Sequence, residues 1–320
     1  MEEPVFSYAD PTDRPVKRHL IHLIERATGQ RELKRIYLDN QQHPRAGESF
    51  FAAAVRRLSL DVQFDPARLA RIPRTGPLVI VSNHPYGVLD GIVLSWLVEK
   101  IRSDFLVLTN AVLLRAPEIR QFVLPVDFAG TPEAMAINLE SRSQARDHLA
   151  RGGAVVVFPA GGVSTAPDRL GRRPAVDSPW QPFTSQLIQR TKATVVPVCF
   201  SGQNSRLFQI ASHLSLTLRL SLIFREVRNR IGTTLPVAIG DPIPYALLSH
   251  IKDRQALADE LMTRTYALGR VEFSGTGPSN GYGRKLDGRG DGLGKGRSPL
   301  QRVLDKGRRI KQKLKLKKPA

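Results

Sequence analysis

The chain has 320 residues, 41% of them hydrophobic, and a formal net charge of +19 at pH 7. This length is sufficient for one large α/β domain with a well-buried core or for two smaller domains. The single cysteine, Cys199, excludes an internal disulfide framework and a cysteine-based zinc site, and no run of about 18 apolar residues predicts a membrane-spanning helix.

Helical and strand-like segments alternate along the chain. Helices are predicted at residues 15–35, 48–58, 88–100, 132–150, 182–190, 245–250 and 253–268. Strands are predicted at residues 62–64, 78–82, 105–108, 123–126, 154–158, 194–200 and 235–239. Continuously apolar strands between helices indicate a sheet that is buried on both faces. The sequence therefore predicts an α/β fold, with a mixed, mostly parallel sheet covered by helices on both faces.

The segment Asn-His-Pro-Tyr-Gly-Val-Leu-Asp at 83–90 lies between a predicted strand and a predicted helix. His84 is expected at the strand tip and Asp90 in the first helical turn, and Pro85 and Gly87 bend the path between them. An imidazole and a carboxylate within hydrogen-bonding reach form a general base, because the carboxylate keeps one ring nitrogen protonated and the other accepts a proton. The alternative is an ordinary turn in which Asp90 only caps the helix.

A second polar loop, Phe-Pro-Ala-Gly-Gly-Val-Ser at 158–164, follows the predicted strand at 154–158. Two parallel strands that end in such loops place both at the carboxyl edge of the sheet, where sites form in open α/β sheets. Taken alone, this loop is equally consistent with a plain strand-to-loop turn. Neither loop has a nucleophile elbow, which favours direct group transfer over a covalent enzyme intermediate.

These two segments and Val-Val-Pro-Val at 195–198 resemble the glycerolipid (lysophospholipid) acyltransferase family over roughly residues 60–248. The most similar variety is the bacterial branch that acylates lyso-ornithine lipid or lysophosphatidic acid. The resemblance implies that His84 deprotonates the acceptor hydroxyl, that Asp90 orients His84, and that the alkoxide attacks an acyl thioester. It also implies that acyl carrier protein or coenzyme A carries the acyl group as co-substrate, with no other cofactor.

Three departures from the family pattern bear on the acceptor. Five residues rather than the commonest four separate His84 from Asp90, and Ala160 stands where the family often has a glutamate. The segment at 125–128 lacks the arginine that grips a phosphate in many members. Losing a bidentate phosphate ligand favours an amino-acid lyso-lipid such as lyso-ornithine lipid, unless an arginine elsewhere supplies the charge.

The remaining candidate residues are assigned to substrate binding. Ser164 and the N–H groups of Gly161 and Gly162 are candidates for binding the acceptor or a tetrahedral oxyanion, with an ordinary turn as the alternative. Asn83 is either a ligand or a brace of the His84 loop, and Tyr86 either shapes the donor channel or packs. The full predicted binding set is Asn83, Tyr86, Gly87, Phe158, Pro159, Gly161, Gly162, Ser164 and Arg172.

Charge is concentrated at the C-terminus, where residues 274–320 contain 14 Lys and Arg against three Asp. This glycine-rich, then basic tail is predicted to be disordered or to lie on an anionic membrane surface. The expected organisation is an N-terminal helical segment at 1–59, an acyltransferase domain at 60–273 and the tail. Because no secretory signal is visible, we expect a peripheral enzyme on the cytoplasmic face of the inner membrane.

The main alternative is a basic protein that binds nucleic acid or membrane without catalysis. The tail lacks interleaved aromatic residues, and no zinc-finger, RNP-like or phosphate-loop spacing is present, so no nucleic-acid partner is expected. None of the seven histidines belongs to a His-Glu-x-x-His or comparable cluster, so no metal is expected. The sequence does not indicate the oligomeric state.

Overall fold

The computed structural model describes residues 15–272. Its helices are α1 Pro15–Ala27, α2 Gln30–Gln42, α3 Phe50–Arg57, α4 Pro66–Ala70, α5 Val88–Glu99, α6 Pro132–Ala150, α7 Pro182–Thr191, α8 Arg206–Leu214, α9 Leu216–Ser221, α10 Ile223–Arg228 and α11 Arg254–Glu272. Its strands are β1 Asp61–Gln63, β2 Leu78–Ser82, β3 Phe105–Asn110, β4 Val123–Val126, β5 Ala154–Val157, β6 Thr194–Phe200 and β7 Thr234–Ile239. Short 3-10 helices are Ala111–Arg115, Pro117–Phe122 and Tyr245–Leu247.

The seven strands form one sheet in the order β1-β7-β6-β2-β5-β3-β4. All neighbouring strands are parallel except β6 and β7, which are antiparallel. Every residue of the central strands β2 and β5 is buried. The predicted mixed, mostly parallel sheet is therefore confirmed. Continuous apolar runs predicted its strands correctly because both faces of the central strands are covered by helices.

Helices cover the two faces of the sheet and bury a separate apolar core on each. Along β2, Leu78 and Ile80 enter one core while Val79 and Val81 enter the other, as the two-residue period of a strand requires. The first core also contains Leu33 of α2 and side chains of α3, α5, α8 and α10. The second contains side chains of α6, α7 and α11. The described part of the N-terminal helical segment thus shares a core with the sheet.

The largest difference from the predicted elements is the connection between β6 and β7, which folds into α8, α9 and α10. Here Leu216, Leu218, Leu220 and Leu222 alternate with polar residues, a period that does not indicate a helix. Ser205 caps α8, accepting from the Phe208 N–H, and its hydroxyl donates to Glu226 of α10 at 2.7 Å. The helix predicted at 245–250 is instead the 3-10 turn Tyr245–Leu247, and the predicted tail lies outside the described residues.

Within residues 15–272 no helix has both the length and the apolar character needed to cross a bilayer.

Candidate active site

The two polar loops singled out in the sequence lie side by side at one edge of the sheet. Strand β2 pairs in parallel with both β5 and β6, so Val81 lies opposite Val157 on one side and Pro197 on the other. All three strands therefore end near one another, and each is followed by a loop at the same carboxyl edge of the sheet. The two loops therefore lie at the predicted edge, where sites form in open α/β sheets.

The turn from His84 to Asp90 is closed by hydrogen bonds to one carboxylate oxygen. The backbone N–H groups of Tyr86 and Gly87 donate to Asp90 Oδ2 at 2.8 and 2.9 Å. Gly87 adopts φ +74° and ψ −117°, which a residue with a side chain rarely adopts. This glycine accommodates the longer His-to-Asp spacing and leaves Asp90 in the first turn of α5. The helix dipole favours a carboxylate at that position.

His84 and Asp90 meet as predicted. Their atoms Nδ1 and Oδ2 are 3.1 Å apart, although the ring N–H does not point squarely at the oxygen. Catalytic hydrogen bonds are often poorly aligned before substrate binds. The Asp90 side chain is fully buried, and its Oδ1 has no partner among the described residues. Burial raises the pKa of Asp90, against the opposing effects of His84 and the two backbone N–H donors.

The imidazole of His84 is also held against an aromatic ring. Phe158, the first residue after β5, has its ring centroid 4.2 Å from that of His84, with 32° between the two planes. The His84 side chain keeps 19% of its surface exposed, whereas Phe158 is buried. Phe158 therefore positions the imidazole from one side while solvent reaches the other.

Ser164 lies at the site, but its hydroxyl is already hydrogen-bonded within the protein. Its backbone N–H donates to the His84 carbonyl at 2.8 Å, and its Oγ donates to Asp177 Oδ1 at 2.5 Å. The residue is 1% exposed. The buried hydroxyl holds the loop through this carboxylate, and the predicted binding role of the side chain stays a prediction.

Asp177 is a central residue that the sequence reasoning missed. This buried carboxylate accepts the backbone N–H of His84 at 3.2 Å and the indole N–H of Trp180 at 2.9 Å, besides the Ser164 hydroxyl. Burial raises its pKa, while the Ser164 and Trp180 hydrogen bonds oppose that rise. Only an isolated acid between prolines at 174 and 179 marks it in the sequence.

The side chains of Asn83 and Tyr86 both bond to backbone groups of the protein. The Asn83 side chain accepts the Phe200 N–H at 2.8 Å and donates to the Phe200 carbonyl at 2.9 Å, so it joins the ends of β2 and β6. The Tyr86 hydroxyl donates to the Ser201 carbonyl at 2.6 Å, and the residue is 4% exposed. These contacts match the alternatives that the sequence left open, a brace for Asn83 and packing for Tyr86, and the substrate-binding role of each stays a prediction.

In the loop at residues 158–164, some backbone N–H groups are hydrogen-bonded within the described part of the protein and others are not. The Gly161 N–H donates to the Phe158 carbonyl at 2.9 Å and closes a tight turn, which is the alternative that the sequence left open. The Gly162 N–H has no acceptor among the described residues. The Pro159 carbonyl accepts the Gln181 N–H. Arg172 is exposed, and its backbone N–H donates to Asp168, which leaves its predicted contact with substrate a prediction.

An arginine not identified from the sequence lies against this loop. Arg219 of α9 donates from Nη2 to the carbonyl of Val163. A methyl group added to Gly162 would lie 3.8 Å from the same nitrogen. The signal for this residue was present as a single cation in the otherwise uncharged segment from Leu214 to Phe224.

Comparisons with known proteins bear on the family of this chain. Two relatives are named lyso-glycine lipid O-acyltransferase. The one from Phocaeicola vulgatus is 25% identical over 246 residues, 74% of this chain and 83% of its own. The one from Bacteroides thetaiotaomicron is 23% identical over 266 residues, 79% of this chain and 91% of its own.

A solved structure, the 1-acyl-sn-glycerophosphate (LPA) acyltransferase PlsC from Thermotoga maritima, is 15% identical and has a TM-score of 0.44. That alignment covers 82% of this chain and 85% of the solved one. The family model described as acyltransferase matches residues 20–246, well over half of the sequence. The chain therefore belongs to the acyltransferase family and is an acyltransferase.

Proposed function

We propose that the enzyme transfers a fatty acyl group from a thioester to the hydroxyl of a lyso-lipid, with His84 as general base. The observation that carries this proposal is the 3.1 Å approach of His84 Nδ1 to the buried carboxylate of Asp90 at the carboxyl edge of the sheet. Membership in an enzyme family favours this activity over the alternative of a basic binding protein without catalysis.

The proposed mechanism follows from the two ring nitrogens of His84. Because Nδ1 faces Asp90, the neutral ring carries its proton there and Nε2 is free to accept one. Nε2 removes the acceptor hydroxyl proton as the oxygen attacks the thioester carbonyl. The tetrahedral intermediate collapses by breaking the carbon–sulfur bond, and the imidazolium returns its proton to the departing thiolate. Asp90 stabilises the imidazolium between these steps, and the Gly162 N–H is the proposed donor to the oxyanion.

The acceptor that we propose is an amino-acid lyso-lipid of the lyso-glycine or lyso-ornithine type. Two relatives carry lyso-glycine lipid in their names. The segment at 125–128 also lacks the arginine expected beside a phosphate head group. Lysophosphatidic acid is the second candidate. Acyl carrier protein and coenzyme A both remain proposed donors, and the net charge of +19 is compatible with an acidic carrier protein.

Peripheral attachment to the cytoplasmic face of a membrane is part of the proposal, and an exposed apolar groove supports it. The groove holds about 270 Å³ and is lined by residues of α1, α8 and α9, including Ile24 and Leu218. Leu207 and Leu214 also line it, with 48% and 71% of their surfaces exposed. Large exposed leucines on a chain with a net charge of +19 fit an anionic lipid surface. We call Leu207 and Leu214 the leucine face.

A product assay tests the function directly. Purified full-length protein is incubated with acyl carrier protein or coenzyme A thioesters and with lyso-glycine lipid, lyso-ornithine lipid or lysophosphatidic acid, and products are identified by mass. We expect a diacylated amino-acid lipid, formed faster than phosphatidic acid. A clear preference for lysophosphatidic acid would overturn the proposed acceptor. The absence of any acylated product with every pair would overturn the proposed function.

A further inference from the structure

Arg219 is a partly buried arginine with no counter-charge among residues 15–272. Arg56, Arg102 and Arg225 each pair with a carboxylate, at 2.6, 2.6 and 3.1 Å. Within residues 15–272 no carboxylate lies at ion-pair distance from Arg219. Its guanidinium has five N–H donors, and among the described residues one nitrogen alone donates, to the Val163 carbonyl. Most of its hydrogen-bonding capacity is therefore unused.

Burial makes this arrangement costly without an anion. Removal from water lowers the pKa of Arg219, and no neighbouring acid offsets that effect. The Phe208 ring lies 5.8 Å from the guanidinium carbon and compensates weakly. A carboxylate or phosphate brought to the free donors would restore the missing charge, and the guanidinium fork matches the geometry of both.

The position of Arg219 connects it to the candidate site. Val163, whose carbonyl it contacts, precedes Ser164, and the Ser164 N–H donates to the His84 carbonyl. A methyl group added to Gly87 would lie 3.1 Å from the Val163 side chain. A single layer of loop backbone therefore links the guanidinium to the turn that carries the general base. The glycine at 162 leaves the approach to Nη2 clear of a side chain.

From this geometry we infer that Arg219 forms an oxyanion-binding subsite that holds the head-group carboxylate or phosphate of the acceptor while its hydroxyl reaches His84. The inference rests on the proposed function and names the residue that would select an acidic acceptor. The positive charge that binds the head group is thus placed on α9, in the connection between β6 and β7. The segment at 125–128, where many family members have an arginine, has none.

The test compares Arg219→Gln and Arg219→Lys with Arg206→Gln. Arg206 is a matched control because it lies on the neighbouring helix α8 and also donates to a loop carbonyl, that of Leu170. Kinetics are measured with a lyso-glycine lipid and with its neutral carboxamide, and the thioester donor is titrated separately. Binding of N-octanoylglycine and of octyl phosphate is measured by calorimetry without any turnover.

We expect Arg219→Gln to raise KM for the acidic acceptor at least about tenfold, with KM for the carboxamide and for the donor unchanged. Arg219→Lys should recover part of the loss, and Arg206→Gln should behave as wild type. Equal falls in kcat for both acceptors would show that Arg219 only braces the loop. A rise confined to the KM of the donor would place the oxyanion on the thioester carrier. Either result overturns the inference.

The two proposals can fail separately. If the wild type acylates no lyso-lipid but binds one of the two anionic probes through Arg219, the subsite stands and the proposed function fails. If acyl transfer occurs and Arg219→Gln leaves the ratio of acid to carboxamide kinetics unchanged, the subsite fails alone. If wild type binds neither probe and does not discriminate acid from carboxamide, the subsite is likewise excluded.

Discussion

The backbone N–H of His84 donates to the carboxylate of Asp177, a residue 93 positions later in the chain. Asp90 approaches the imidazole ring of the same histidine at 3.1 Å. Both carboxylates are buried. Asp177 therefore fixes the main chain of His84, and Asp90 contacts its ring. Two separate carboxylates thus determine the orientation of His84.

Replacing His84 by alanine should reduce turnover by about 10² to 10⁴, because the proton acceptor is lost. The fold should persist, since both backbone groups of residue 84 keep their partners. His43→Ala is the matched control: its Nδ1 is also 3.1 Å from a carboxylate, that of Asp39, but the pair is exposed. Steady-state rates and thermal melts check both variants. A His84→Ala enzyme with near wild-type turnover would exclude the proposed mechanism.

Asp90→Asn should separate activity from stability. The asparagine oxygen can still accept the Tyr86 and Gly87 N–H groups, and its NH₂ group would replace Oδ1, which has no partner in the described chain. Removing a buried charge at no loss of a hydrogen bond should leave the free energy of unfolding equal or higher at neutral pH. Turnover should fall by about 10² or more, because a neutral amide cannot stabilise the imidazolium. Denaturant unfolding and initial rates measure the two effects.

The pH dependence of stability should carry the signature of Asp90. Because burial raises its pKa, the folded state binds this proton more tightly than the unfolded state does. Stability therefore falls as pH rises through the interval between the ordinary and the raised pKa. Wild type should lose stability relative to Asp90→Asn across that interval, while Asp177, present in both proteins, cancels in the difference. Denaturant unfolding from about pH 4 to about pH 8 measures it, and a constant difference would contradict the prediction.

Gly87→Ala should disturb both the turn and the carboxylate that it holds. The new side chain would occupy φ +74° and lie 3.1 Å from Val163, at a cost of about 1–3 kcal/mol in unfolding free energy. Gly130→Ala is the control, because that glycine has φ +71° with open space around the added carbon. We expect a greater loss of stability and of turnover at position 87. Equal losses at the two positions would mean that contact with Val163 is irrelevant.

The leucine face should be required for membrane binding but not for chemistry. Changing both Leu207 and Leu214 to Glu should weaken sedimentation with phosphatidylglycerol vesicles by about tenfold or more. Turnover of a short-chain soluble acceptor should be retained. Leu139→Glu on α6 is the control, because that leucine is 64% exposed but belongs to a helix on the opposite face of the sheet. Unchanged sedimentation of the double variant would remove this face from the proposal.

Local patterns made part of this molecule predictable. The central strands β2 and β5 are buried on both faces and appear in the sequence as apolar runs. His84 and Asp90 share one short turn, so their spacing alone brings them together. Asp177 and Arg219 were missed because their roles depend on contacts with residues distant in the sequence. For Asn83, Tyr86 and Ser164 the sequence indicated the place but not the partner, since a polar side chain looks the same whether it bonds backbone or ligand.

The helices α8, α9 and α10 leave the sheet at β6 and return at its neighbour β7. A connection between adjacent strands can change in length or composition while the strand order stays the same. The proposed general base, His84, lies on a different connection, after β2. If Arg219 and His84 act as proposed, head-group choice and acyl transfer are encoded in separate stretches of the gene. Exchanging residues 201–233 between homologous enzymes should then change lipid specificity without altering the catalytic residues.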